Sequence, residues 1–170
     1  MIITLPTKYT LVHTLVQRLA SSKWGSWFLA RVLRHFDTLA VRLSGGRWSL
    51  TGLLARVPVM MVTTTGARSG RPRTAPLLCI WDKSHPKRFA LIASNWGQPH
   101  IPAWYFNLKA NPQAMCAIDG RSGMYAAHEA TEEEYGRFWG YATETYGGYV
   151  LYRQRAGRRI PIMVMEPARQ

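Results

Sequence analysis

Apolar positions in the first part of the chain recur with helical spacing: Leu11, Val12, Leu15, Val16 and Leu19 share a face, with His13, Gln17 and Arg18 opposite. Ser21, Ser22 and Gly25 interrupt the pattern. A second stripe follows at Phe28, Leu29, Val32, Leu33, Phe36, Leu39, Ala40 and Leu43. At about 100° per residue it covers an arc of roughly 140°, leaving Arg31, Arg34, His35 and Arg42 outside. The spacing predicts a basic amphipathic helix over Trp27–Leu43, ended by Gly45 and Gly46. Residues 1–50 therefore read as an N-terminal helical segment. Its apolar stripe packs on the rest of the chain or, using the same two faces, lies on an anionic membrane surface.

After Arg56 the period changes. Val57–Thr65, Ala75–Trp81, Arg88–Ser94, Ala114–Ile118, Met124–Glu129 and Ile160–Glu166 are short runs bounded by Gly, Pro, Asn or Asp, and each predicts a strand. Two helices interrupt them. Pro102 to Ala110 is stopped by Asn111-Pro112, and a second starts at Thr131, where Thr-Glu-Glu-Glu forms a capping box with Glu134. That helix should carry Phe138, Trp139 and Tyr141 inward and end near Gly147. Links this short exclude most crossovers, so about six strands with two inserted helices predict a closed or nearly closed α+β barrel over residues 51–170.

Composition narrows the partners. The chain has 170 residues, 47% hydrophobic and 12% aromatic, enough for a real core. Lys and Arg total 22 against 9 Asp and Glu, a net charge of +13. That excess calls for an anionic partner: nucleic acid, acidic lipid or a multiply charged small molecule. Cys79 and Cys116 sit in apolar runs without metal-ligand spacing and read as reduced core thiols, consistent with a cytoplasmic protein. No secretory pattern opens the chain, and the longest uncharged run, Phe89 to Leu108, is too broken by Pro, Asn and Gly to be a transmembrane span.

Protein-borne catalysts do not stand out. His13, His35, His85, His100 and His128 are each isolated, and no Ser-His-Asp set, Cys-His pair or metal cluster accompanies them. An enzyme of this kind would take its chemistry from a cofactor. Three stretches could hold one. "TTTGARSGRPRTAP", residues 63–76, puts Arg68, Arg71 and Arg73 beside glycines, and arginine forks match phosphate and carboxylate oxygens. "ASNWGQPHIPAWYFNLKANP", residues 93–112, offers a strand end and a helix start whose free N–H groups suit anions. "TYGGYVLYRQRAGRRIP", residues 145–161, spaces Tyr146, Tyr149 and Tyr152 three apart, so on a helical turn they would share a face. Each has a plainer reading: a solvated basic hairpin, core aromatics, packed tyrosines.

As a set these motifs resemble the deazaflavin-dependent nitroreductases of actinobacteria, which use coenzyme F420. The resemblance covers about Val57 to Pro167, with "PAWYFNLKANP" and "RRIPIMVMEP" as its most recognisable runs. It implies a split β-barrel. It also implies cofactor contacts from Ala67, Arg68, Ser69, Arg73, Pro76, Leu77 and Leu78, from Ile92, Ala93, Ser94 and Asn95, and from Ala103, Trp104 and Asn107. Tyr149 would lie over the deazaflavin, and Tyr146, Tyr149 and Tyr152 would line the substrate pocket. Asn95 stands where some members carry lysine, and Leu78 and Arg155 where the best-known member carries aromatic residues.

The implied activity is hydride transfer from reduced F420 to a small-molecule acceptor: a quinone, an enone or a nitro compound. Tyr146, Tyr149 and Ser94 are the candidate hydrogen-bond donors to the acceptor oxygen. An FMN-dependent split-barrel oxidoreductase is the nearest alternative, although FMN has one phosphate and no glutamate tail and so explains the arginine loop less well. A non-catalytic F420 carrier is a second. Nucleic-acid binding through exposed aromatics ranks last, because most aromatics fall at core-like positions. Oligomeric state is not readable.

Overall fold

The computed structural model describes residues 59–118 and 120–168. The amphipathic N-terminal helices, their membrane reading and the boundary near residue 50 lie outside the described residues.

Six strands close into an antiparallel barrel: β1 (Val59–Thr65), β2 (Pro72–Trp81), β3 (Phe89–Ile92), β4 (Gln113–Ile118), β5 (Arg121–Glu129) and β6 (Ile162–Pro167). Their order around the barrel is β1-β2-β3-β6-β5-β4, with β1 and β4 closing it. This is the closed barrel expected from the strand count, and it agrees with the split β-barrel that the resemblance implies. Among the described residues three α-helices decorate it: α1 (Ala103–Ala110), α2 (Glu132–Thr145) and α3 (Gly148–Ala156).

Four consecutive apolar residues make β3, and all four are buried. A strand buried on both faces is why. Phe89 and Leu91 point into the barrel with Met60, Val62, Cys79, Met163 and Met165. Ala90 and Ile92 point outward with Ile80, Ile162 and Val164, where α2 contributes Phe138 and α3 contributes Tyr149, Tyr152 and Ala156. Two cores thus share one wall, by the two-residue period of the strand. Phe89 is held edge-on by Trp81 and Tyr125 at ring-centroid distances of 5.2 and 5.0 Å.

The cap at α2 forms as its sequence predicts. Thr131 accepts from the Glu134 amide, and the Glu134 carboxylate accepts from the Thr131 amide at 2.9 Å. Arg88 ties this end of α2 to the barrel by pairing with Glu134 and, at 3.0 Å, with Glu166. Cys79 and Cys116 are both buried. Burial, reinforced by Cys79, pushes the Cys116 thiol up to about 12.

Several expectations need correction. The tyrosine segment forms its own helix, α3, so the inserted helices are three rather than two, and α2 stops at Thr145. The pair Gly147-Gly148 hides this start, since glycine is a poor helix former. On α2, Phe138 and Ala142 are the buried residues, while Trp139 and Tyr141 pack half-buried beside them. β2 begins at Pro72, three residues before the predicted Ala75, because Pro72, Arg73 and Thr74 pair across to β1 while exposed. Arg73 therefore stands on a strand and not in the turn.

Candidate functional site

The β1–β2 turn is compact because Gly66 permits it. The Gly66 amide donates to the Arg71 carbonyl at 2.9 Å, and the Gly70 amide donates to the Gly66 carbonyl at 2.8 Å. A β-carbon on Gly66 would fall 2.6 Å from Ser69 Oγ, and Gly70 adopts φ +62°, a left-handed conformation suited to glycine. Arg68, Arg71 and Arg73 are all exposed, and among the described residues none has an acidic partner.

Beyond the turn, β2 is only half a sheet member. Pro72 to Leu78 pair with β1, whereas β3 pairs only with Cys79 to Trp81. Along Pro72–Leu78 the outer side of β2 has no strand partner among the described residues. Arg73, Pro76, Leu77 and Leu78, all expected cofactor contacts, lie on this stretch. Backbone polar groups there are free to meet a ligand.

Asn107 joins the turn to α1. Its Oδ1 accepts from the Ala67 amide at 3.0 Å, and its Nδ2 donates to the Thr64 hydroxyl at 3.0 Å. The side chain is buried and its amide is engaged at both ends by protein groups. Both Ala67 and Asn107 were expected to contact cofactor; here they hold each other. At the start of α1, Ala103 and Phe106 are exposed, while Trp104 packs half-buried against the barrel core.

The loop after β3 is strained. Asn95, Trp96 and Gly97 carry successive φ values of +47°, +59° and +76°. For a residue as bulky as Trp this is an outlier that surrounding structure must impose, and such outliers concentrate at functional sites. Two devices impose it. First, α3 presses on the turn: a β-carbon on Gly97 would lie 3.0 Å from Tyr152 Cα and 3.3 Å from Arg155 Cβ. Second, Arg158 gathers the loop's carbonyls. Its Nε donates to the Pro99 oxygen at 2.8 Å, and Nη2 lies 3.2 Å from the oxygens of both Ala93 and His100. Asn95 adds Nδ2 to His100 O at 3.1 Å. Ile92, Ala93 and Ser94 are buried at the loop's entrance.

The three tyrosines form a cluster. Ring centroids are 5.7 Å apart for Tyr146–Tyr149, 5.9 Å for Tyr146–Tyr152 and 6.1 Å for Tyr149–Tyr152. The Tyr146 and Tyr152 hydroxyls lie 3.2 Å apart. Tyr149 and Tyr152 share the buried face of α3, at 4% and 3% exposure, but Tyr146 precedes the helix and folds back onto them half-buried. Burial and then the Tyr146 phenol push the Tyr149 hydroxyl far up, so it stays protonated. Trp96 of the strained turn packs against Tyr152 at 6.4 Å.

All three stretches singled out in the sequence thus converge: Asn107 links 63–76 to 93–112, and α3 with Arg158 links 93–112 to 145–161. Ser94 is the serine of this junction. An open groove of about 570 Å³ is lined by Glu132, Tyr135, Arg153, Arg158 and Arg159 but by none of Arg68, Arg71, Arg73, Tyr146, Tyr149 and Tyr152, and Glu132 neutralises Arg159 within it at 2.8 Å. The convergence is the better candidate, since it combines uncompensated charge, an unpaired strand side and backbone strain. Sequence reasoning missed Arg158. Among the described residues no His, Cys, Asp or Glu cluster could hold a metal, and no helix is long and apolar enough to cross a membrane.

Comparison with known proteins points the same way. A family model described as F420H(2)-dependent quinone reductase matches residues 33–167. An F420H(2)-dependent quinone reductase of Mycobacterium tuberculosis is 33% identical over 111 residues, 64% of this chain and 72% of that protein. A solved F420-H2 dependent reductase (FDR-A) is 36% identical with a TM-score of 0.57, covering 64% of this chain and 94% of its own. A second structure, described as a domain-swapped dimer, is 32% identical with a TM-score of 0.60, covering 84% and 97%.

Proposed function

The chain belongs to the F420H(2)-dependent quinone reductase family, and from that premise we propose that it oxidises F420H2 and passes the hydride to a quinone, with enones and nitro compounds as further acceptors. The observation that carries this reading is the arginine run: Arg68 and Arg71 in the β1–β2 turn and Arg73 on β2 are exposed, without acidic partners among the described residues, beside the unpaired side of β2. The donor set fits the cofactor. Forked cations match a phosphate and a carboxylate tail, and backbone groups along Arg73–Leu78 suit a flat polar ring. Asn95, Ala103 and Trp104 would supply further contacts to it.

Reduced F420 supplies a hydride from ring C5 when bound. The protein's part is positioning and electrostatics. Arg68, Arg71 and Arg73 hold the anionic end. Trp96, Tyr149 and Tyr152 form an apolar wall that keeps water from the ring. Tyr146, half-buried with its hydroxyl against Tyr152, and Ser94, at the loop entrance, are the donors to the acceptor oxygen as negative charge develops there. Tyr149 contributes its ring more than its hydroxyl, because it lies within the second core.

The test is titration of the purified protein with F420 and with FMN, followed by fluorescence, and then F420H2 oxidation with menadione. Saturable F420 binding with turnover supports the reading. Binding without turnover indicates a carrier, and preference for FMN indicates the flavin alternative.

A further inference from the structure

Four arginines lie on or just after α3, and three are engaged. Arg153 sits over the Trp139 ring at 5.3 Å, Arg158 holds the loop carbonyls, and Arg159 pairs with Glu132. Arg155 differs. Among the described residues its Nη1 is buried with no hydrogen-bond partner, and no carboxylate pairs with its head.

Its position is specific. The Arg155 stem lies against the strained turn, 3.3 Å from where a Gly97 β-carbon would be, one helical turn beyond Tyr152. Burial and the Tyr146 phenol push the Tyr152 hydroxyl far up, while Arg155 pulls it the other way, so the guanidinium is felt at the tyrosine cluster. Arg155 as a whole is half-buried, but a guanidinium nitrogen buried without a partner is costly to leave so. The same group becomes favourable when a ligand brings the missing anion.

We propose that Arg155 is a specificity-determining residue of the acceptor site, selecting acceptors whose ring carries a carboxylate or sulfonate. The proposal rests on the reductase reading and sharpens it to a substrate class: anionic quinones over neutral ones. Arg155 binds the substituent and takes no part in hydride transfer, so its signature is in KM and in binding.

Two arms test it. In the first, 1,4-naphthoquinone-2-sulfonate and menadione are titrated against the protein without cofactor, by quenching of tryptophan fluorescence. The wild type should bind the sulfonate more tightly than menadione. Arg155→Met should reduce that preference at least tenfold, with Arg155→Lys between. In the second, F420H2 oxidation is followed with both acceptors, and the loss should fall on KM for the sulfonate. Melting temperature separates the roles: removing a guanidinium that has no carboxylate partner among the described residues should not lower it. A preference for the sulfonate that survives in Arg155→Met, or an equal weakening for both acceptors, would overturn the proposal. Absence of F420H2 turnover in the wild type would overturn the reductase reading instead, while the binding arm still decides the role of Arg155.

Discussion

The Tyr146 ring occupies the space that a β-carbon on Gly148 would need: such an atom would lie 2.2 Å from Tyr146 Cε1 and 2.6 Å from its hydroxyl oxygen. Gly147 beside it has nothing within 4 Å. The two glycines are therefore not equivalent. Gly148→Ala should expel the Tyr146 ring, destabilising by about 1–3 kcal/mol as an overpacking change. Gly147→Ala, at a helical backbone angle in open space, should be neutral or stabilising by about 0.4–1 kcal/mol. Thermal melts and tyrosine fluorescence of the pair give the answer; equal behaviour of the two would refute the packing assignment.

The hydroxyl of Tyr146 is the reachable one. Tyr146→Phe keeps the ring and should lower turnover on the order of 10²-fold if the acceptor oxygen is desolvated there. Tyr149→Phe should cost less, since that residue is 4% exposed within the second core. Tyr149→Ala should instead unsettle the fold by roughly 3–5 kcal/mol. F420H2 oxidation beside a melt for each variant separates these outcomes.

Charge at the β1–β2 turn predicts salt-sensitive binding. Arg68→Ala or Arg73→Ala should weaken F420 by about 1.5–3 kcal/mol, the range for a hydrogen bond to a charged group. Raising ionic strength should narrow the gap between wild type and variant, because these heads are exposed. Titration at low and high salt checks both statements; unchanged affinity would leave the turn a solvated hairpin.

Arg158 tests whether the strained loop matters. A lysine cannot fork to Pro99, Ala93 and His100 carbonyls at once. Arg158→Lys should therefore lower stability by about 1–3 kcal/mol and raise KM for F420H2. Lower stability with unchanged KM would assign Arg158 to the fold alone.

Glu134 sets an acid limit. Burial pushes its carboxyl up, but the Thr131 amide, His128 and Arg88 outweigh burial and hold it below the usual range. A folded value below the unfolded one of about 4.3 means the carboxylate's contribution is present above that pH and is lost as pH falls through the folded value. Glu134→Gln keeps a capping side chain but not the charge. It should be less stable near neutrality, by about 1–3 kcal/mol, with the gap to wild type closing on acidification. A gap that stays unchanged however far the pH falls below the unfolded value would exclude the linkage.

The barrel was legible because strands such as Phe89–Ile92 are unbroken apolar runs between turn residues, and α2 because its cap is written in Thr131 and Glu134. The flared start of β2 was not: Pro72, Arg73 and Thr74 are exposed and polar, and only pairing with β1 makes them a strand. For the site, the three stretches could be found by composition, but their junctions could not. Asn107 meets Ala67 across 40 residues, and Arg158 meets Ala93 across 65. Nothing local in Arg158-Arg159 says which one reaches the loop and which one pairs with Glu132.

The shared wall of the two cores has a consequence for how this protein can vary. On β3, Phe89 and Leu91 belong to the barrel interior, and Ala90 and Ile92 to the layer that carries Tyr149 and Tyr152. Alternate residues of one four-residue strand thus answer to different demands. If the tyrosines line the acceptor site as proposed above, exchanges on the outer side would reshape its wall, while exchanges on the inner side act on the packing of the barrel. Selectivity could then drift along one face of the strand while the other face stays as it is.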